Sequence, residues 1–151
     1  MDRLSARYDR IADQLAGLFS ATEDPLARMA TAAAILHHKM DHFFWTGFYR
    51  LIGGELIVGP YQGPVACQVL SRDTGVCRAC ARELKSILVP RVDEFPGHIA
   101  CDSRSKSEVV VPVFTSDGSL AAVMDVDAKT YDAFSSTDVS GLEKIAHSFY
   151  H

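Results

Sequence analysis

From Phe43 onward the apolar residues of this chain change period from 3.6 to 2, and that switch restricts the folds open to it. Before it, Leu4, Tyr8, Ile11, Leu15 and Leu18 draw one stripe along a helix ending near Ser20. Asp24 then offers an N-cap and Pro25 a first helical residue, predicting a second helix to about Lys39 with Leu26, Met29, Ala33, Leu36 and Met40 as its packing stripe. After the switch, strands are expected over Phe43–Leu51 and Glu55–Gly59, joined by a tight Gly53-Gly54 hairpin. Further short strands are expected at Cys67–Leu70, Ser86–Val89, Glu108–Phe114 and Leu120–Val126, the last two joined by the turn Ser116-Asp117-Gly118. A final helix capped by Ser135 with Asp138 turns Val139, Leu142, Ile145 and Phe149 inward. Helices, then hairpin-linked strands, then a helix describe an α+β fold. Its central sheet should be largely antiparallel, of about six strands, and covered by the N- and C-terminal helices. One domain over 1–151 is expected, with N-terminal helices over 1–40 and the sheet, active-site loops and C-terminal helix over 41–151.

A formal charge of −4 with no Lys/Arg cluster argues against nucleic acid or an anionic membrane surface as partner. The first residues, Met1-Asp-Arg-Leu-Ser-Ala-Arg, carry charges where a secretory signal needs an apolar core, and no apolar run is long enough to span a bilayer. A cytoplasmic location is therefore expected. In a reducing compartment four cysteines point to catalysis, sensing or metal binding rather than to a disulfide framework.

Cys67, Cys77 and Cys101 each stand where a loop meets a strand or a short helix, a setting in which a thiol can ionise, attack and be resolved by a second thiol. Thiol redox chemistry is the first hypothesis. Cys101 lies in the Pro90–Ser107 connection, which lacks periodicity and offers Asp93, Glu94, Gly97, His98, Asp102 and Ser103 around the thiol. Strand alternation places Trp45, Gly47 and Tyr49 on one face and Phe44, Thr46 and Phe48 on the other. Trp45 and Tyr49 would stand about 13 Å apart along the strand, flanking a gap over the glycine. Asp125 and Asp127 share a face about 7 Å apart, and Glu108 opens the neighbouring strand. Carboxyls gathered in a partly dry pocket cannot all ionise; one can keep its proton and donate it, and another can grip an ammonium group.

Six segments together resemble the GAF-domain free methionine-(R)-sulfoxide reductases. They are Trp45-Thr-Gly-Phe-Tyr49, Val58-Gly-Pro-Tyr-Gln-Gly-Pro-Val-Ala-Cys67, Gly75-Val-Cys77, Phe95-Pro-Gly-His-Ile-Ala-Cys-Asp102, Ser105-Lys-Ser-Glu108 and Met124-Asp-Val-Asp127. The likeness runs from about Trp45 to the C-terminus. It implies a GAF-like fold and reduction of free L-methionine (R)-sulfoxide to methionine. It also implies Cys101 as nucleophile, Cys67 as principal resolving thiol and Cys77 as an auxiliary one. Trp45 and Tyr49 would line the pocket for the methyl sulfoxide end, while Glu108, Asp125 and Asp127 would share recognition of the α-ammonium group and polarisation of the sulfoxide oxygen. The chemistry suits these residue types: a sulfoxide sulfur becomes open to thiolate attack when its oxygen is protonated. The resulting sulfenic acid condenses with a second thiol, and an external dithiol, thioredoxin or another, restores the pair. That cycle needs no bound cofactor and no metal.

The chain departs from the family pattern at Cys77-Arg-Ala-Cys80, where glycine and then non-cysteine residues usually follow the middle cysteine. Cys80 either relays the disulfide or packs under a helix opened by Gly75-Val-Cys77, whose dipole would favour a Cys77 thiolate. A zinc site built from Cys77, Cys80, Cys67 and Cys101 or His98 is the metal alternative, weakened by there being a single Cys-x-x-Cys pair. A ligand-binding or redox-sensing module without turnover is the non-enzymatic alternative. The N-terminal helices, Leu4 to Met40, could cover the sheet or support a homodimer.

Overall fold

The computed structural model describes residues 2–98 and 101–151, and in it the change of period at Phe43 separates a helical layer from a sheet. Helix α1 (Arg3–Phe19) is capped by Asp2, whose carboxylate accepts from the Ser5 N–H at 2.7 Å. Helix α2 (Pro25–Lys39) starts as expected, with Asp24 accepting from the Leu26 N–H at 3.0 Å and Pro25 in the first turn. Strands β1 (Trp45–Ile52) and β2 (Glu55–Gln62) meet at Gly53 and Gly54, whose φ of +56° and +82° few other residues tolerate. Helix α3 (Val76–Glu83) and strand β3 (Ile87–Val89) follow, then β4 (Ser107–Phe114), β5 (Leu120–Ala128) and α4 (Ser136–His147). The Ser135–Asp138 capping box opens α4.

Among the described residues the sheet has five strands in the order β2-β1-β5-β4-β3, every pairing antiparallel. The strand expected at Cys67–Leu70 is reduced to one bridge, Ile57 opposite Val69. Its backbone makes two bonds to β2, Val58 N–H to Gln68 O and Leu70 N–H to Leu56 O, before a turn held by the Ser71 hydroxyl takes the chain away.

One sheet face carries Phe48, Val109, Val111, Val113, Met124 and Val126 against α1, α2 and α4. Two residues of the expected stripes stay outside this core: Leu18 is 48% and Leu26 40% exposed. Phe19 replaces Leu18 because a step of four residues from Leu15 stays nearer the stripe than a step of three, and its ring meets Phe149 at 5.9 Å. On α2 the covered stripe begins one turn later, at Met29. Asp138, buried at the start of α4, accepts from the Tyr8 hydroxyl at 2.7 Å and lies 2.9 Å from His42 Nε2. One carboxylate thereby joins α1, α4 and the turn before β1, and its partners hold it below the usual carboxylate range despite burial.

The other face has thinner cover. Helix α3, about 12 Å long for its eight residues, packs Val76, Cys77 and Cys80 over Val110, Val123 and Leu56. Beyond its end the sheet face opens into a cavity.

Candidate active site

The cavity follows from strand order and alternation. Val123, Asp125 and Asp127 of β5 face α3, whereas Met124 and Val126 face the helical layer. Because β5 lies between β1 and β4, Asp127 is opposite Trp45 on one side and Glu108 on the other, and Asp125 is opposite Gly47 and Val110. Three strands thus bring an aromatic and three acids to the lining of a cavity of about 270 Å³. Cys67, Cys77, Cys101 and His98 line it as well.

Gly47 keeps the wall flat. A Cβ there would stand 2.3 Å from Tyr61 Cβ and 2.6 Å from the Trp45 ring. With no side chain in the way, Trp45 stacks on Tyr49 at 5.7 Å and on Tyr61 at 5.3 Å. The gap expected between Trp45 and Tyr49 is therefore closed by their own rings, which lean together over the glycine. The Trp45 indole N–H donates to the Pro64 carbonyl at 3.0 Å and fixes the ring plane.

Glu108 and Asp125 are each 5% exposed, and Asp127 is half-buried nearer the opening. Burial, then the charges of Asp125 and Asp127, pushes the Glu108 carboxyl well above the ordinary carboxylate range. Burial and then the charge of Asp125 does the same to Asp127. Asp125 is raised by burial, against the hydrogen bonds of Glu108 and Cys77. Among the described residues no Lys or Arg forms an ion pair with any of the three. The cluster therefore holds protons that it can donate and lacks a cation that a ligand could bring. The Tyr49 phenol is kept protonated by burial and by Asp125.

Cys67 and Cys101, 34 residues apart, form a disulfide with Cα atoms 5.8 Å apart. Cys101 is exposed and Cys67 half-buried, so an external thiol can reach the bond. The segment after Cys101 is clipped in place. Arg104 donates to Asp102 at 2.9 and 2.6 Å, which holds that carboxyl down to about 2, and the guanidinium lies 5.0 Å from the centre of the Phe44 ring. Asp102 is thus committed to Arg104. Among the described residues the buried Nε2 of His98 has no hydrogen-bond partner, and desolvation lowers the pKa of this side chain. Ile99 and Ala100 of the Phe95–Asp102 motif lie outside the described residues.

The structure corrects two further site expectations. Cys77 is 5% exposed beside Asp125, and burial with the carboxylates drives its thiol well above the ordinary range, overriding the α3 dipole. Phe44 lines the cavity although alternation assigned it to the far face, because it precedes β1 and only its N–H, bonded to Asp127 O, follows the ladder. Tyr61 and Arg104 escaped the sequence reading; the tyrosine lay within a quoted motif, and nothing local marked the arginine. At the departure from the family pattern, Arg78 bonds the carbonyls of Ser71 and Gly54, tying α3 to the β1–β2 hairpin. Cys80 is wholly buried, its thiol pushed up to about 12. The four thiols do not gather around one point: Cys67 and Cys101 bind each other, and among the described residues the donors that cluster are Cys77, Glu108 and Asp125.

No family model matches the chain. Individual proteins do. The free methionine-R-sulfoxide reductase of Saccharomyces cerevisiae is 37% identical over 137 residues, 86% of this chain and 76% of that protein. The GAF domain-containing protein A of Dictyostelium discoideum is 37% identical over 140 residues, 92% of this chain and 87% of that protein. The X-ray structure of free methionine-R-sulfoxide reductase from Neisseria meningitidis, in complex with its substrate, superposes with a TM-score of 0.92 at 34% identity, covering 99% of this chain and 89% of that one. With such identity spread over most of each partner, the chain belongs to the GAF-domain free methionine-R-sulfoxide reductase family.

Proposed function

We propose that this chain reduces free L-methionine (R)-sulfoxide to L-methionine, with Cys101 as nucleophile and Cys67 as resolving thiol. The observation that carries this reading is the Cys67–Cys101 disulfide opening onto a cavity whose other side holds the proton-bearing acids Glu108 and Asp127. A yeast relative and a solved bacterial relative bear the name of this activity, which supports the same reading. The methyl sulfoxide end packs on Trp45 and Tyr49. Asp125 and its neighbours hold the α-ammonium group, and either Glu108 or Asp127 passes a proton to the sulfoxide oxygen. The Cys101 thiolate attacks the sulfur; methionine leaves and Cys101 becomes a sulfenic acid. Cys67 attacks that sulfur, water departs, and the disulfide forms. Thioredoxin or another dithiol supplies two electrons and two protons to reopen it. Cys77, held protonated behind the pair, serves as an auxiliary thiol. No cofactor is bound in this cycle, and a cytoplasmic dithiol pool is its source of electrons.

The test compares free (R)-sulfoxide, free (S)-sulfoxide and a peptide-bound sulfoxide with a dithiol reductant. Only the free (R) form should yield methionine, since a peptide bond removes the charge that the carboxylates grip, and Cys101→Ser should abolish the reaction. Full turnover by that variant, or equal rates on the peptide, overturns the proposal. A redox sensor without turnover would form the same disulfide under peroxide and consume no sulfoxide.

A further inference from the structure

The deepest part of the cavity brings together a donor set unlike that of a purely acidic pocket. The Sγ of Cys77 and one carboxylate oxygen each of Glu108 and Asp125 lie within 4.8 Å of one another, and all three residues are buried. Among the described residues, Oδ1 of Asp125, a residue 5% exposed, has no hydrogen-bond partner, and neither has the buried Nε2 of His98 in the lining of the same cavity. Buried polar atoms without partners are costly, and two facing one cavity call for a cation or a hydrogen-bonding group from outside the chain.

We propose that Cys77, Glu108 and Asp125, with His98 as fourth donor, form a binding site for a borderline-soft divalent ion of the Zn²⁺ class. One thiolate, one imidazole and two carboxylates match the ligand types that zinc takes in four-coordinate sites, whereas Mg²⁺ and Ca²⁺ favour all-oxygen, higher-coordinate shells. Zinc–ligand bonds of about 2.0 to 2.3 Å place tetrahedral donors about 3.3 to 3.6 Å apart, so the trio needs to draw in by no more than about 1.5 Å, and His98, in the cavity lining but outside that cluster, has to swing in as the fourth donor. On binding, the Cys77 thiol and Glu108 carboxyl protons pass to solvent and the ion's two charges take their place. This set differs from the site weighed from the sequence, Cys77 and Cys80 with Cys67 and Cys101 or His98: Glu108 and Asp125 take the places of Cys80 and Cys67, which leaves Cys67 and Cys101 free for redox chemistry. The ion would occupy the floor on which the substrate ammonium rests. Competition between the two is a consequence that depends on the function proposed above, but the site itself does not.

The experiment titrates the reduced full chain with Co²⁺ as a spectroscopic stand-in and follows the near-ultraviolet thiolate-to-cobalt charge-transfer band, with equilibrium dialysis against Zn²⁺ giving stoichiometry. About one ion per chain is expected, with the band lost in Cys77→Ser and retained in Cys80→Ser. Zn²⁺ affinity should fall about tenfold or more in Cys77→Ser and in His98→Ala, the second variant guarding against a folding defect in the first. An unchanged band in Cys77→Ser, or ion retained only through the C-terminal His147 and His151, which stack at 3.9 Å, overturns the proposal. Free methionine added to the cobalt form should weaken the band; a band that depends on Cys77 but ignores methionine sustains the metal site and counts against the amino-acid pocket.

Discussion

Replacing Glu108 by Gln should flatten the decline of stability with rising pH, by an amount the geometry sets. Glu108 and Asp127 are opposite one another on β4 and β5, and burial first, then neighbouring charge, pushes both carboxyls well up. A group whose folded pKa exceeds its unfolded value binds its proton more tightly in the folded chain. Its contribution to stability is complete below the unfolded pKa, near pH 4, and is lost as the pH climbs toward the folded pKa. Across that interval the folded chain holds a proton that the unfolded chain has released, and stability falls by about 1.4 kcal/mol per pH unit for each such proton. Two strongly raised carboxyls give a limiting slope of about 2.7 kcal/mol per unit, and Glu108→Gln should leave about 1.4. His37 and His98, whose charged forms burial disfavours, tilt the curve the opposite way below the ordinary histidine range, but equally in both proteins, so they cancel in the difference. The assay is urea unfolding of the reduced proteins at half-unit steps from about pH 5 to about pH 7.5, extrapolated to water at each pH. Parallel curves for the two proteins would refute a proton held at Glu108, and with it this residue's claim to be the acid.

Gly47→Ala should force the Trp45–Tyr61 stack apart, raising KM for the sulfoxide about tenfold and costing about 1–3 kcal/mol in urea unfolding; an unchanged KM would mean that the wall adapts without harm. Tyr8→Phe removes one donor from the buried Asp138 and should cost about 1–3 kcal/mol with turnover preserved, which thermal or urea unfolding will read directly. Cys80→Ala should leave sulfoxide turnover with a dithiol reductant unaltered while lowering stability by about 1 kcal/mol for the lost packing; a tenfold drop in turnover would instead make Cys80 a disulfide relay.

Legibility in the sequence followed the range of the interaction. Features written within a few residues were readable: the Asp24-Pro25 and Ser135–Asp138 helix starts, the Gly53-Gly54 hairpin, and the alternation that puts Asp125 and Asp127 on one face. Where the pattern was weak or cut short, the reading slipped. Leu18 and Leu26 sit at stripe ends where no partner covers them, and Cys67–Leu70 meets β2 through a single bridge.

Periodicity and caps therefore determined the elements, which face of each is apolar, and the supply of thiols and acids. They act through neighbouring residues, whose geometry the backbone imposes before any tertiary contact forms. Strand order was decided only by the folded whole: with β5 between β1 and β4, Trp45, Asp127 and Glu108 converge, and loops 34 residues apart place Cys67 against Cys101. The protonation of the site was decided there too. The start of α3 favours a Cys77 thiolate, but burial and the charges of Asp125 and Glu108 act through space on the same sulfur and reverse that preference. A local pattern cannot encode how much water is excluded, or which distant charges are left facing one another.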